Sequence, residues 1–351
     1  MKNKKIFLLL IIVYSLFIGS KIFADEIFFE TPEIETFENG NIIKANKGGK
    51  AVIDKSTEII ADSFEYNKNT KILTAHGNAS GFDLLNNVTI KADKLLYDKF
   101  NFIFTAKGKS EAVNNQNKIS IKADELEYNK KKTKYIAKNN VKVDDKDNNI
   151  FTEAEKITYL PKEEKIFTEG ITKIIIENAY TINSKNVLWL RNKKQFSSDN
   201  FTTFEDTEKN FYTSENFRYQ SEKKLLRGKN VTMKSNNEDE YFFSDVLIDI
   251  ETNEINGKDL EVNFKKDSFG NIDNEPRLKG NKASSNKNIT TVSKGVFTTC
   301  KKRDGCPPWR IEAENITHDK KNQLINYKNA WLKIYDMPVF YFPKFFHPDP
   351  T

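Results

Sequence analysis

The chain has 351 residues, of which 38% are hydrophobic and 30% charged, with a mean hydropathy of −0.65. Only roughly the first 20 residues form a long apolar run, which excludes a multi-span helical membrane protein. Of the formal net charge of +6, four lysines fall in that N-terminal segment; the remaining 52 bases against 50 acids are too balanced and too interspersed for a nucleic-acid binder.

Residues 1–24 read as a secretory signal peptide: Lys2, Lys4 and Lys5 precede an apolar stretch from Ile6 to Ile18, and Ala24 is a small residue suited to a cleavage site. An uncleaved anchor is the alternative. No Cys stands directly after the apolar stretch, where a lipoprotein anchor needs one, and export implies a compartment that permits disulfides. Residues 25–50 read as a poorly structured leader.

From residue 51 a repeat dominates the sequence. The segments IIADSFEYN, IKADKLLYD, IKADELEYN and FTEAEKITYL centre on Ala61, Ala92, Ala123 and Ala154, each 31 residues apart. Ser184, Ser214 and Ser244 continue the series at intervals of 30, and Ala313 centres a last copy. Each copy has the form apolar-x-small-x-x-apolar-x-aromatic. The final pair is Phe64 and Tyr66, Leu95 and Tyr97, Leu126 and Tyr128, Ile157 and Tyr159, Val187 and Trp189, then Phe217 and Tyr219. In the seventh and last copies it decays to Leu247 and Asp249, and to Ile316 and His318. Seven residues beyond the aromatic comes another apolar side chain (Leu73, Phe104, Tyr135, Ile166, Phe196, Leu226, Ile325). Four residues further sits Gly or Asn: Gly77, Gly108, Asn139, Gly170, Asn200, Asn230 and Asn329.

Alternation on either side of a two-residue gap means a strand that bulges or turns a corner in its middle, so that both apolar pairs face inward. The Gly or Asn suits a corner with positive φ. Each unit is then about two strands that cannot bury their own apolar face alone, and stacked units bury a continuous stripe. The expected fold is all-β: an elongated β-jelly-roll or β-taco solenoid of about eight 30-residue two-strand repeats. The repeats occupy 51–265, a polar inserted loop 266–296, and the last repeat with a cysteine loop 297–336. The edge near Ala51–Ala61 is expected to be open to strand addition by a partner.

Catalytic and cofactor motifs such as GxGxxG, GxxxxGK[ST], GxSxG and HExxH do not occur, so the chain reads as a non-enzyme without cofactor or metal. His76 reads as a turn residue, and His318 as a packing substitute for the repeat aromatic. Asp62, Asp93, Asp124 and Glu155 recur beside the small anchor; Lys185 breaks the series, so solvated outward positions fit better than a metal ladder. Cys300 and Cys306 are spaced wrongly for zinc or CxxC redox chemistry. A local disulfide, pairing with cysteines elsewhere, and free thiols all stay open.

The C-terminal stretch CPPWRIEAENI…NAWLKIYDMPVFYFPKFFHPDP resembles the junction of the LPS-assembly outer-membrane protein (LptD) family. There a periplasmic domain enters a membrane barrel through a P-V-x-Y-x-P-x-x-x-x-P segment, matched by Pro338, Val339, Tyr341, Pro343 and Pro348. The IKAD…Y repeat resembles the OstA-like β-jelly-roll domain of periplasmic LPS-transport proteins. The resemblance implies that 337–351 lead into a barrel that this sequence does not include. It implies a chain at the periplasmic face of the outer membrane that accepts lipopolysaccharide from a homologous bridge protein and passes it to the barrel with its lipoprotein plug. The family's widely separated cysteines are not matched. On this reading the paired apolar and aromatic residues from Phe64 to Tyr219 line a lipid groove; the alternative is a closed core. Other readings are a soluble OstA-type LPS bridge protein and an extracellular β-solenoid adhesin or scaffold.

Overall fold

A computed structural model describes residues 27–116, 118–266, 269–302 and 307–348; the signal-peptide segment lies outside these. Among the described residues there is no α-helix. Antiparallel strands follow one another in chain order; from Ile72 to Ile176 and from Leu225 to Pro348 each is hydrogen-bonded to its neighbours in sequence, and elsewhere the ladder skips short strands that belong to the other wall.

The strand Val88–Asp98 shows how the repeat makes this architecture. Val88, Ile90 and Ala92 are buried, then Leu95 and Tyr97. The alternation therefore changes phase across the two-residue gap of the motif. The ladder slips there, between His76 and Ala79 on one side and between Lys91 and Lys94 on the other. Each strand so bends in the middle and contributes one half to each of two facing walls. Where the bend becomes a break the walls are seen separately: Lys165–Ile176 pairs with Leu188–Leu190 through its first half and with Tyr180–Lys185 through its second. Gly81 of one wall lies so close to Leu95 and Phe104 of the other that an added Cβ would meet them at 2.8 and 2.9 Å.

The corner residues behave as the spacing predicts at six of seven positions. Gly77, Gly108, Asn139, Gly170, Asn230 and Asn329 all have φ between +48° and +82°. Asn200 does not; it falls where the strand is broken, and its side chain donates instead to the Lys185 carbonyl at 3.2 Å. The recurrent acids are exposed, as expected, and have a further use. Asp62 lies in the space a Cβ on Gly77 would take, and also accepts from Asn78 at 2.9 Å; Asp124 accepts from Asn140 at 2.7 Å.

Two boundaries need correcting. Residues 25–50, read as a poorly structured leader, hold the strands Phe28–Glu30, Glu35–Phe37 and Ile42–Ala45. Phe28–Glu30 pairs with Gly49–Asp54, and Ile42–Ala45 with Ser63–Asn67, so the edge near Ala51–Ala61 is covered. The outermost N-terminal strands are three residues long, as suits edges that must not pair indiscriminately. Residues 266–296, read as an inserted loop, contain the strand Arg277–Ser285 and most of Ile289–Thr298, paired with each other and with their neighbours. Their polar sequence hid an alternation of Leu278, Ala283, Val292 and Phe297 toward the interior.

Candidate functional site: an interior chamber

The aromatic of each repeat and the apolar residue seven positions on are cross-strand partners, so together they build one column down one wall. It runs from Tyr66 through Leu73, Tyr97, Phe104, Tyr128, Tyr135 and Tyr159. It continues through Ile166, Trp189, Phe196, Tyr219 and Leu226. Neighbouring rings stack, Tyr128 on Tyr135 at 4.6 Å and Trp189 on Phe196 at 4.5 Å between centroids.

All twelve positions singled out from the sequence (Phe64, Tyr66, Leu95, Tyr97, Leu126, Tyr128, Ile157, Tyr159, Val187, Trp189, Phe217 and Tyr219) point into the interior and are at most 5% exposed. They fill the space between the walls there; a void of about 10 Å³ beside Ile157, Val187 and Trp189 holds no more than one water.

Beyond Tyr219 the column loses volume. Its next members are Ile248, Ile255, Ser285, Thr290, His318 and Ile325. Where rings have given way to Ser, Thr and Ile, the walls enclose a chamber of about 1120 Å³ open at the side. Its floor and walls are apolar, with Met233, Tyr241, Phe243, Val262, Leu278, Phe297 and Tyr327 among them. Its mouth lies between two rows of polar turns, Asp206 to Asn210 and Ser235 to Asp239 facing Asn253, Asn286 and Lys320. Tyr212 donates to Asp206 at 3.0 Å, and burial, followed by Asp206, pushes its hydroxyl pKa up, so the group stays neutral. Burial lowers the Lys320 pKa against the opposing pull of Glu208, while its ammonium donates to the Asn286 carbonyl at 3.0 Å. The mouth thus offers fixed charges of both signs around an apolar interior.

None of the chamber residues was singled out from the sequence as a groove candidate. The available signal was the decay of the repeat aromatic in the last copies, which marks where packing volume is withdrawn.

The remaining predicted residues lie apart. Pro338, Val339, Tyr341, Pro343 and Pro348 sit on the strand Met337–Pro348, paired on one side with Leu324–Ile334. Pro343 falls opposite the corner residue Asn329, where the ladder skips, a position that needs no N–H. Cys300 makes no disulfide among the described residues, and Cys306 lies outside them. His76 is exposed at its corner, and His347 contacts the Tyr327 hydroxyl at 3.1 Å.

Residues 58–165 match a family described as LptA/(LptD N-terminal domain) LPS transport protein. The match lies within the tightly filled part of the molecule and ends before Tyr180, the first residue that lines the chamber. Among solved structures, the chain is similar to LptH, the LptA homologous periplasmic component of the conserved lipopolysaccharide transport device from Pseudomonas aeruginosa. Identity is 12% over 49% of this chain and 81% of that one, with a TM-score of 0.17. No curated protein matches.

Proposed function

We propose that this protein is a non-enzymatic carrier in lipopolysaccharide transport, and that its chamber holds acyl chains. The observation that carries the reading is the juxtaposition of an LPS-transport domain with an apolar, side-opening chamber in the same continuous pair of walls. At about 1120 Å³ the chamber exceeds the ~300–1,000 Å³ usual for small-molecule sites, which suits several hydrocarbon chains better than one compact ligand. Burying methylene groups there is worth ~0.8 kcal/mol each, and the polar mouth leaves sugar and phosphate groups in water. The twelve ring-column and partner positions from Phe64 to Tyr219 are candidate contacts for chains that pass beyond the chamber.

In this reading the chain is exported and works at the periplasmic face of the outer membrane. A homologous bridge protein adds a strand at the N-terminal edge, which Phe28–Glu30 and Glu35–Phe37 provide. Pro338, Val339, Tyr341, Pro343 and Pro348 lead toward a barrel and its lipoprotein plug. A soluble bridge protein is the second reading, since the matched family includes LptA as well as LptD domains. The coding sequence beyond codon 351 separates the two: several hundred codons of alternating strands favour the barrel-bearing protein, and a stop codon the bridge.

The carrier reading is tested by photo-crosslinking to lipopolysaccharide from Phe243 and Phe264 in the chamber, and from Phe64, Leu126 and Tyr159 in the column. Capture at chamber positions above that at outward-facing controls is expected. Capture no greater than at those controls refutes the reading.

A further inference from the structure

The two walls are tied together at their lips in the filled part and enclose an open cavity at the chamber. Lys130, in the turn after Ile119–Asn129, reaches across to the turn between Gly49–Asp54 and Thr57–Ala61. Its ammonium donates to Ser56 Oγ at 2.8 Å and to Thr57 Oγ1, and lies 3.3 Å from Asp54 Oδ2. Its side chain is 11% exposed. Beside it the Tyr128 hydroxyl donates to Asp83 Oδ2 at 2.6 Å, and Asp83, itself 2% exposed, fixes its own turn by accepting from Asn86. These contacts join residues 45 to 76 positions apart in sequence, across the opening and independently of the strand ladders.

We propose that Lys130 and Tyr128 form a latch that holds the N-terminal half of the interior shut, and that acyl chains pass into that half only when the latch opens. This rests on the carrier reading above. Three observations support it. The contacts of the latch are polar and lie at the lip, where the Lys130 ties run to turn residues at the surface, while the Tyr128 hydroxyl links the buried ring column to the opposite lip. Behind it the ring column and the opposite wall are in contact at Gly81, so a chain cannot enter without the lips parting. At the chamber, by contrast, the interior is already open between the facing rows of turns. The latch therefore divides one continuous pair of walls into a compartment that is open at rest and one that opens on demand.

The test uses the full chain with Lys55→Cys and Lys131→Cys, exposed positions that flank the latch and leave it intact, in a background with Cys300→Ser and Cys306→Ser. Spin labels on the two introduced thiols read the lip separation. A narrow distance distribution is expected, shifting to longer distances with Lys130→Met plus Tyr128→Phe, and likewise when lipid A is added. Unchanged distances in the latch variant overturn the proposal. Separately, a short cleavable bis-thiol cross-linker joins the same two positions while a small diazirine residue stands at Leu126 or at Phe243. Bridging is expected to abolish lipid A capture at Leu126 and spare capture at Phe243, with reductant restoring the first. Capture at Leu126 indifferent to the bridge overturns the latch alone. Capture at neither site overturns the carrier reading itself. If the double variant fails to fold, the bridged chain, which keeps every latch contact, still decides the matter.

Discussion

The side chain of Asp62 occupies the space that the missing Cβ of Gly77 leaves open. Gly108 and Asp93 repeat the relationship one unit on, where an added Cβ would meet Asp93 Oδ2 at 2.6 Å, and Gly170 and Glu155 repeat it again. The acid and the glycine are therefore two halves of one corner device, contributed by consecutive strands.

Gly108→Ala is expected to destabilise the protein by ~1–3 kcal/mol, since φ is +75° there and the new methyl displaces Asp93. Asn139→Gly, at φ +61°, removes strain without adding volume and is expected to change stability by less than ~1 kcal/mol. Denaturant titration of both variants checks the contrast. Equal losses would mean that the corner does not depend on the vacant Cβ.

Two tyrosines of the column separate packing from hydrogen bonding. The hydroxyl of Tyr219 is buried without a partner, so Tyr219→Phe is expected to be neutral or stabilising. Tyr128→Phe leaves the buried Asp83 short of a donor and is expected to cost ~1–3 kcal/mol. Thermal unfolding of the pair gives the answer, and a larger loss at Tyr219 would contradict the assignment.

If the chamber exists because the column loses its rings, restoring them should fill it. Ser285→Phe and Thr290→Phe are expected to lower lipid capture at Phe243 several-fold while leaving the unfolding temperature at or above that of the parent. Undiminished capture would show that the lipid sits elsewhere.

Near the C-terminal end, Glu312 feels burial, which raises its pKa, but hydrogen bonds from Lys333 at 2.6 Å and Arg310 at 2.7 Å prevail and hold it below the usual 4.5. A carboxyl depressed in the folded state contributes stability that is complete above its unfolded pKa and is lost as pH falls through the folded one. Amide exchange in Trp309–Asp319 and Leu324–Ile334 is thus expected to quicken below about pH 4.5, and less so in Glu312→Gln. An identical acid response in the variant would remove Glu312 as the cause.

Much of the fold was legible because each repeat states its geometry locally. The 31-residue period, the phase break between Ala92 and Leu95, and the corner at Gly77 each follow from side-chain size and spacing, and each is present in the structure. What escaped notice lacks that redundancy. The strands Phe28–Glu30 and Glu35–Phe37 are too short to show a period, and they form because an exposed edge was available to pair with. Arg277–Ser285 and Ile289–Thr298 read as a loop because strands at the chamber mouth bury little, so Ser285 and Thr290 stand where a packed wall would carry rings. The chamber escaped for the same reason: a cavity is written in what a sequence omits.

The chain-order ladder has one more consequence. Because most strands pair with their immediate predecessor, and the exceptions near the N-terminus and between Tyr180 and Lys234 skip only one or two strands, few distant partners need be found before structure can grow, apart from the ties across the lips. Such a chain can assemble progressively from its first hairpins, each completed strand templating the next, and loop-closure costs stay small at every step. A protein built this way suits delivery as a thread: segments that arrive first can fold while the remainder is still unfolded, and a local defect frays the downstream strands without dissolving those already laid down.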